Sequence, residues 1–463
     1  MDYDVVVIGA GPAGYVCAIR ASQLGQKVAI VDKEWLGGVC LNIGCIPSKS
    51  LLKNAEVAHT LRERGKEFGF AFENLQLDYS VAVKRSRQVS NRLTKGVGFL
   101  MKKNKIDVHM GRAHLTSHST VEVSGEEGVI SLNAKNIVIA TGAHAKAPGA
   151  FNLDGKRVVT YWEAILQESR PASAIIVGSG AIGVEFATVW NSYGTDVTII
   201  EMLPRVVPLE DEEVSKELAK SLIKYGITLM IDTRVENIAA SDEQVSVTVS
   251  GAAGEQMLVA DQVLVAIGFA PNSNDLGLEA LGVEMNEGGA VKVDIGMRTN
   301  VSGVNAIGDV TGELMLAHVG SAQGIVCAET IAGHPTVELN YKMMPRATYC
   351  HPEIASFGLT EAEATEQGFE VKVAKFTFQA NGKALGLGDY AGWVKMVSDA
   401  KYGELLGAHM IGPGVTELLP ELTLAQSMEL SGEEIARNVH AHPSLSEVLM
   451  ETAHGLVGDY IHM

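Results

Sequence analysis

Two unbroken apolar runs, Asp4–Ile8 (DVVVI) and Ala174–Val177 (AIIV), open a sentence that the chain writes twice. Runs this short, rich in β-branched residues and followed by glycine turns, predict strands buried on both faces. The turns are GAGPAG from Gly9 to Gly14 and GSGAIG from Gly178 to Gly183. A helical stretch follows each, ending at Gly25 or Gly194, and then a second strand, KVAIVD or DVTIIE, ends on an acid, Asp32 or Glu201. In both copies the acid lies 23 residues after the first glycine (32 − 9 and 201 − 178).

Further apolar strands run into glycine turns at IVIATG (Ile137–Gly142), VLVAIG (Val263–Gly268) and VNAIGD (ending at Asp309). Strands alternating with helices predict parallel, doubly wound sheets. Past Tyr341 the pattern changes. PRATYCHPEIASFG, GWVKMVSD and GELLGAHMIG read as antiparallel strands, followed by the helical stretch VTELLPELTLAQSMEL. The expected class is α/β: two Rossmann-like dinucleotide-binding domains and a C-terminal α+β domain. The expected boundaries are 1–145, 146–270, a segment 271–341 returning to the first domain, and 342–463. A length of 463 residues suits about three domains.

The spacing of each repeat has a chemical reason. The first glycine (Gly9, Gly178) permits the tight turn. The second (Gly11, Gly180) lets backbone approach a pyrophosphate, and the third (Gly14, Gly183) lets the helix pack on the strand. The helix N-terminus then offers unpaired N–H groups to phosphate. Asp32 and Glu201 stand where a carboxylate accepts hydrogen bonds from ribose hydroxyls, and Glu201 would repel the extra phosphate of NADP. Arg205 could bind that phosphate, but the acid is the stronger cue.

A net charge of −18 argues against nucleic acid or an anionic membrane as partner. No apolar run approaches the roughly 20 residues of a membrane span. The chain enters its first strand at once, so a cytoplasmic protein, or a mature organellar form, is expected. Five cysteines are too few for a secreted disulfide framework. Cys40 and Cys45, in GGVCLNIGCIPSK, are the close pair. On an ideal helix their Cα atoms would lie roughly 8.6 Å apart, beyond the reach of about 7 Å for a disulfide. A bridge needs a distortion, which Gly44 and Pro47 favour, and a working redox pair fits better than a metal site. Cys17, Cys327 and Cys350 read as core thiols. Near the C-terminus HAHPSLSE holds His440, His442 and Glu447. Thiol exchange needs a base, and imidazole titrates in the right range. Spacing leaves open which histidine serves.

Together these motifs resemble the pyridine nucleotide-disulfide oxidoreductases over essentially the whole chain. The resemblance implies tightly bound FAD along the first site, with Lys49 near the flavin ring, Ala113 near the adenine side, and Gly142, Asp309 and Ala317 against the rest. It implies NAD at the second site, with Val235 and Gly268 lining it and Glu185 paired with Lys49 where nicotinamide meets flavin. Cys40 would exchange with substrate, Cys45 would face the flavin, and His442, held by Glu447, would be the base. Family members are homodimers whose base acts on the other subunit's disulfide. CLNIGCIPSK and HAHPSLSE resemble the branch that oxidises dihydrolipoyl groups carried on the acyltransferase core of 2-oxo acid dehydrogenase complexes or in the glycine cleavage system. The alternatives are reduction of another disulfide, such as that of glutathione, or a mainly docking role in such a complex. Asp32, Val39 and Ser444 depart from the glutamate, threonine and threonine common in the family.

Overall fold

A computed structural model describes residues 1–463. Its first sheet has parallel strands in the order Asp107–Met110, Val28–Asp32, Tyr3–Ile8 and Gly128–Ile139, with Val304–Ala306 beyond. The unbroken apolar run is explained by cover on both faces. Val5 and Val7 pack with Cys17, Met101 and Cys327 of three helices, while Val6 and Ile8 pack with Leu115, Val121 and Val123 of an antiparallel meander. The meander, Arg112–Ser117, Thr120–Gly125 and the start of Gly128–Ile139, shares that last long strand with the parallel sheet.

The second half repeats this design. Parallel strands run in the order Thr228–Met230, Asp196–Ile200, Ser173–Val177, Gln262–Val265 and Val158–Val159. One face carries the meander Arg234–Ala240, Val245–Gly251 and Gly254–Ala260; the other carries the helices Ala181–Ser192 and Glu212–Lys224. So the repeat seen in the glycines extends to the cover of each sheet. Phe269–Pro271 pairs with Ala143–Ala145 where the chain passes back, and Val304–Ala306 then joins the first sheet beside Ile137–Ile139.

The C-terminal unit is an antiparallel sheet ordered Arg346–Thr348, Glu353–Gly358, Leu405–Gly412, Trp393–Asp399, Val371–Thr377. Its helices Val415–Ser427, Gly432–Arg437 and Glu447–Val457 cover one face. Every residue of Trp393–Asp399 and Leu405–Gly412 is buried, so the other face is covered too. No helix is long and apolar enough to cross a membrane.

Candidate active site

A cavity of about 640 Å³ runs between the first sheet and the second domain, and both cysteines open onto it. The two glycine turns show what each position demands. Gly9 and Gly178 take φ of +107° and +101°, and a Cβ there would lie 2.2 Å and 2.4 Å from the carbonyl oxygens of Ala140 and Ala266. Gly14 and Gly183 press on the carbonyls of Gly9 and Gly178, where a Cβ would sit at 1.8 Å and 2.1 Å. At Gly11 the nearest atom to a Cβ is 4.0 Å away, and at Gly180 nothing lies within 4 Å. These middle glycines precede the helices Pro12–Gln23 and Ala181–Ser192, neither of which has a side-chain cap. The free N–H groups therefore face open space, as an approaching pyrophosphate requires.

Both acids hold their own turns. Asp32 accepts from Ala10 N–H at 2.7 Å and from Glu34 and Trp35 N–H at 2.8 and 3.0 Å. Glu201, buried, accepts from Ser179 N–H and Oγ at 2.9 and 2.7 Å and from Leu203 N–H at 2.9 Å. A carboxylate has about four lone-pair sites, which leaves room for a ribose hydroxyl at each. Arg205 donates to the Pro208 carbonyl at 3.1 Å.

The cysteines sit at a broken helix. Gly38–Asn42 forms one short helix, and Cys45 opens the next, Cys45–Glu63. The break falls at Gly44, whose Cβ would lie 3.1 Å from the Val39 carbonyl and 3.2 Å from Cys40 Cα. This is the distortion an ideal helix lacked, and it brings the two thiols close enough for each to shift the other. They are unequal. Hydrogen bonding from Cys40 pulls the Cys45 thiol below its ordinary value against burial, and the Lys49 ammonium adds to this. Donating that bond, with burial, pushes Cys40 well up. Cys45 also heads a helix, where the dipole favours a thiolate.

One turn further along, Lys49 Nζ lies 2.9 Å from both oxygens of Glu185, which follows the second glycine turn. The pair ties the redox helix to the second domain. Burial pulls Lys49 down, but Glu185 overrides it and the ammonium is held charged. Tyr349 donates its N–H to Glu185 at 3.0 Å and sets its ring 4.5 Å from Lys49 Nζ. Tyr349 escaped the sequence reading, since no local pattern ties it to residues so distant. Gly38 was missed too, though the doublet Gly37–Gly38 was a signal; its φ of +58° and its approach to Gly11 form the floor of the first turn.

Ala113, Gly142, Asp309 and Ala317 all line the cavity. Gly142 and Gly268 take matching φ of +72° and +106°, each with open space where a Cβ would be. Ala317 begins the uncapped helix Ala317–Ala332. Val235 lies in the core between the second sheet and its meander, so its side chain does not reach a ligand. Asp309 is a part-buried carboxyl on the cavity wall, and desolvation pushes it up to about 6. A donor-bearing ligand such as a polyol suits it. Without ligand the folded chain holds this proton more tightly than the unfolded chain, so stability falls as pH rises from about 4 through 6. Asp309→Asn is expected to remove roughly 2 kcal/mol of that fall between pH 4.5 and 7.5 in the apoprotein, read from melting temperatures at those two pH values.

The histidines separate clearly. His440 is buried, with Nδ1 on the Asn438 carbonyl at 2.9 Å and Nε2 on Glu421 at 3.0 Å, so neither nitrogen is free. His442 has Nδ1 on Glu447 at 2.9 Å, and its side chain is 79% exposed. Glu447 is fixed by the Ser444 N–H at 2.8 Å, and its pKa falls below the usual range: burial opposes, the Ser444 amide and His442 prevail. His442 does not line the cavity of its own chain.

A sequence model described as pyridine nucleotide-disulphide oxidoreductase matches residues 3–324, and the dimerisation domain of the same family matches residues 344–453. The chain belongs to the pyridine nucleotide-disulphide oxidoreductases. It is 53% identical to a dihydrolipoyl dehydrogenase of Mycobacterium leprae and 49% identical to one of Corynebacterium glutamicum, each match covering 99% of both chains. Among solved structures, LpdA of Mycobacterium tuberculosis superposes with a TM-score of 0.91 at 25% identity, over 97% of this chain and 99% of that one. The HOCl-induced flavoprotein disulfide reductase RclA of Escherichia coli gives 0.88 at 27% identity, over 98% and 99%. The α/β architecture with a dimerisation domain is thus that of the flavoprotein disulfide reductases, whose cofactors are FAD and NAD(H).

Proposed function

We propose that the chain is a dihydrolipoyl dehydrogenase, using FAD at the first dinucleotide turn and NAD at the second, with Cys40–Cys45 as its redox disulfide. The Lys49–Glu185 pair carries the reading, because it fixes the redox helix against the helix of the second nucleotide turn. The open middle glycines, the cavity and the unpaired Asp309 fit FAD. Bound FAD supplies the two-electron relay between the dithiol and NAD.

The chain's own residues handle sulfur and protons. One substrate sulfur attacks Cys40, forming a mixed disulfide and releasing Cys45 as a thiolate. Lys49 and the helix N-terminus favour that charge. The partner subunit's His442 takes the proton of the attacking thiol at Nε2, while Glu447 holds Nδ1. The second substrate sulfur then closes the lipoyl disulfide and frees the Cys40 thiol. Substrate loses two electrons and two protons; the protein gains one thiol, one thiolate and one proton on imidazole. The donors are lipoyl-bearing proteins docked on the acyltransferase core of a 2-oxo acid dehydrogenase complex or in the glycine cleavage system, in the cytoplasm.

The test is oxidation of NADH and NADPH by the purified homodimer, each with lipoamide and with glutathione disulfide. Lipoamide activity with NADH at least roughly 100-fold above NADPH is expected, since a buried carboxylate opposing a phosphate costs several kcal/mol. Activity confined to NADPH and glutathione disulfide would overturn the proposal.

A further inference from the structure

A polar row crosses all five strands of the C-terminal sheet: Arg346 pairs with Ser356, Ser356 with His409, His409 with Lys395, and Lys395 with Lys375. Lys395 and His409 are 3% and 1% exposed. Burying an ammonium is unfavourable unless it is well paired, so what it meets matters. Its two nearest partners lie in the second nucleotide domain. Lys395 Nζ is 3.0 Å from Asp211 and 2.8 Å from Glu213, while Ser356 Oγ donates to Glu210 at 2.6 Å.

This acidic segment leads back to the second glycine turn. Glu210 N–H donates to the Val207 carbonyl at 2.9 Å, and Val207 N–H donates to the carbonyl of Ser179 at 3.1 Å, inside GSGAIG. Val207 is buried at φ +40°, a left-handed conformation that a β-branched residue resists. Such strain survives only where the surroundings dictate it, and it gathers at ligand clamps. Here the surroundings are the glycine turn on one side and the latch to the C-terminal sheet on the other.

We infer that Lys395 is a positioning residue for the second dinucleotide site, holding the segment Val207–Asp211 so that the dimerisation domain sets the shape of the glycine turn. The inference rests on the proposal that NAD binds there. The latch touches neither the cysteines nor the first site, so its effect belongs to pyridine nucleotide affinity.

The experiment measures the NADH dissociation constant of the flavin-loaded dimer for the wild type, Lys395→Met and Glu361→Gln. Glu361 is the most distant of the carboxylates around Lys395, at 3.6 Å, and largely exposed. Lys395→Met is expected to weaken NADH roughly tenfold, the size of a modest coupling energy. Flavin content, dimer elution and the KM for dihydrolipoamide should stay unchanged, and Glu361→Gln should bind as wild type. If Lys395→Met does not fold, Glu213→Gln, part-exposed, is read in the same way with a shift of roughly threefold. A lower melting temperature with unchanged NADH affinity would reduce the latch to a structural contact and overturn the inference. Wild-type protein that binds NADPH and not NADH would instead overturn the underlying reading of the site.

Discussion

Cys45→Ser lowers dihydrolipoyl oxidation by more than roughly 10³-fold while NADH oxidation by an artificial dye persists. Serine is close in volume to cysteine, and residue 45 begins a helix whose start tolerates a hydroxyl, so the fold and both nucleotide sites survive. What is lost is the disulfide and the soft sulfur that leaves as an anion. Dye reduction needs only the two cofactors, which makes the ratio of the two activities the informative measurement. Equal loss of both would mean that the site itself had collapsed. A companion result concerns pH. The Cys40 thiol holds Cys45 low by donating to its sulfur, so Cys40→Ala should raise the Cys45 pKa. Alkylation of Cys45 would then accelerate at a higher pH than in Cys40→Ser, whose hydroxyl still donates.

That inequality of the two sulfurs marks the limit of what sequence could give. The glycine turns were legible because their demands are local: a positive φ at Gly9 and Gly178 and a helix pressed onto Gly14 and Gly183 leave only one residue type. The strands Tyr3–Ile8 and Ser173–Val177 were legible because cover on both faces leaves no polar position to confuse the pattern. The strand Gly128–Ile139 reads differently along its length, since its first half belongs to a half-exposed meander and its second to a buried parallel sheet. The need for a helix break between Cys40 and Cys45 followed from distance alone, and Gly44 supplies it. The bonds that give the residues their roles are long-range. Lys49 and Glu185 are 136 residues apart and Tyr349 is 164 from Glu185, so no window of sequence contains them. His440 and His442 are two residues apart in the chain, and what tells them apart is burial and partners: Glu421, on a neighbouring helix, takes Nε2 of His440, while His442 keeps Nε2 free and stays exposed.

His442→Gln is the second large effect, a fall of roughly 10² to 10⁴ in kcat for dihydrolipoyl oxidation, the usual worth of a positioned base. Glutamine keeps a donor for Glu447 but has no nitrogen that takes a proton, so loss without unfolding isolates the base. Glu447→Gln should cost less, because it disturbs the orientation of the ring at Nδ1 and leaves Nε2 in place. Exposure of His442 and its absence from the cavity of its own chain fit the proposal that the second copy contributes the base, and this can be measured. Each of the variants Cys45→Ser and His442→Gln is inactive as a homodimer. In a mixed dimer one site combines the intact cysteines of the His442→Gln chain with the intact histidine of the Cys45→Ser chain. Refolding or co-expressing the two in equal amounts should therefore recover about one quarter of wild-type activity, from one working site in half of the dimers. A base acting within its own chain leaves every mixed dimer dead, so no recovery from dimers shown to be mixed would place His442 on its own disulfide and overturn the exchange between subunits.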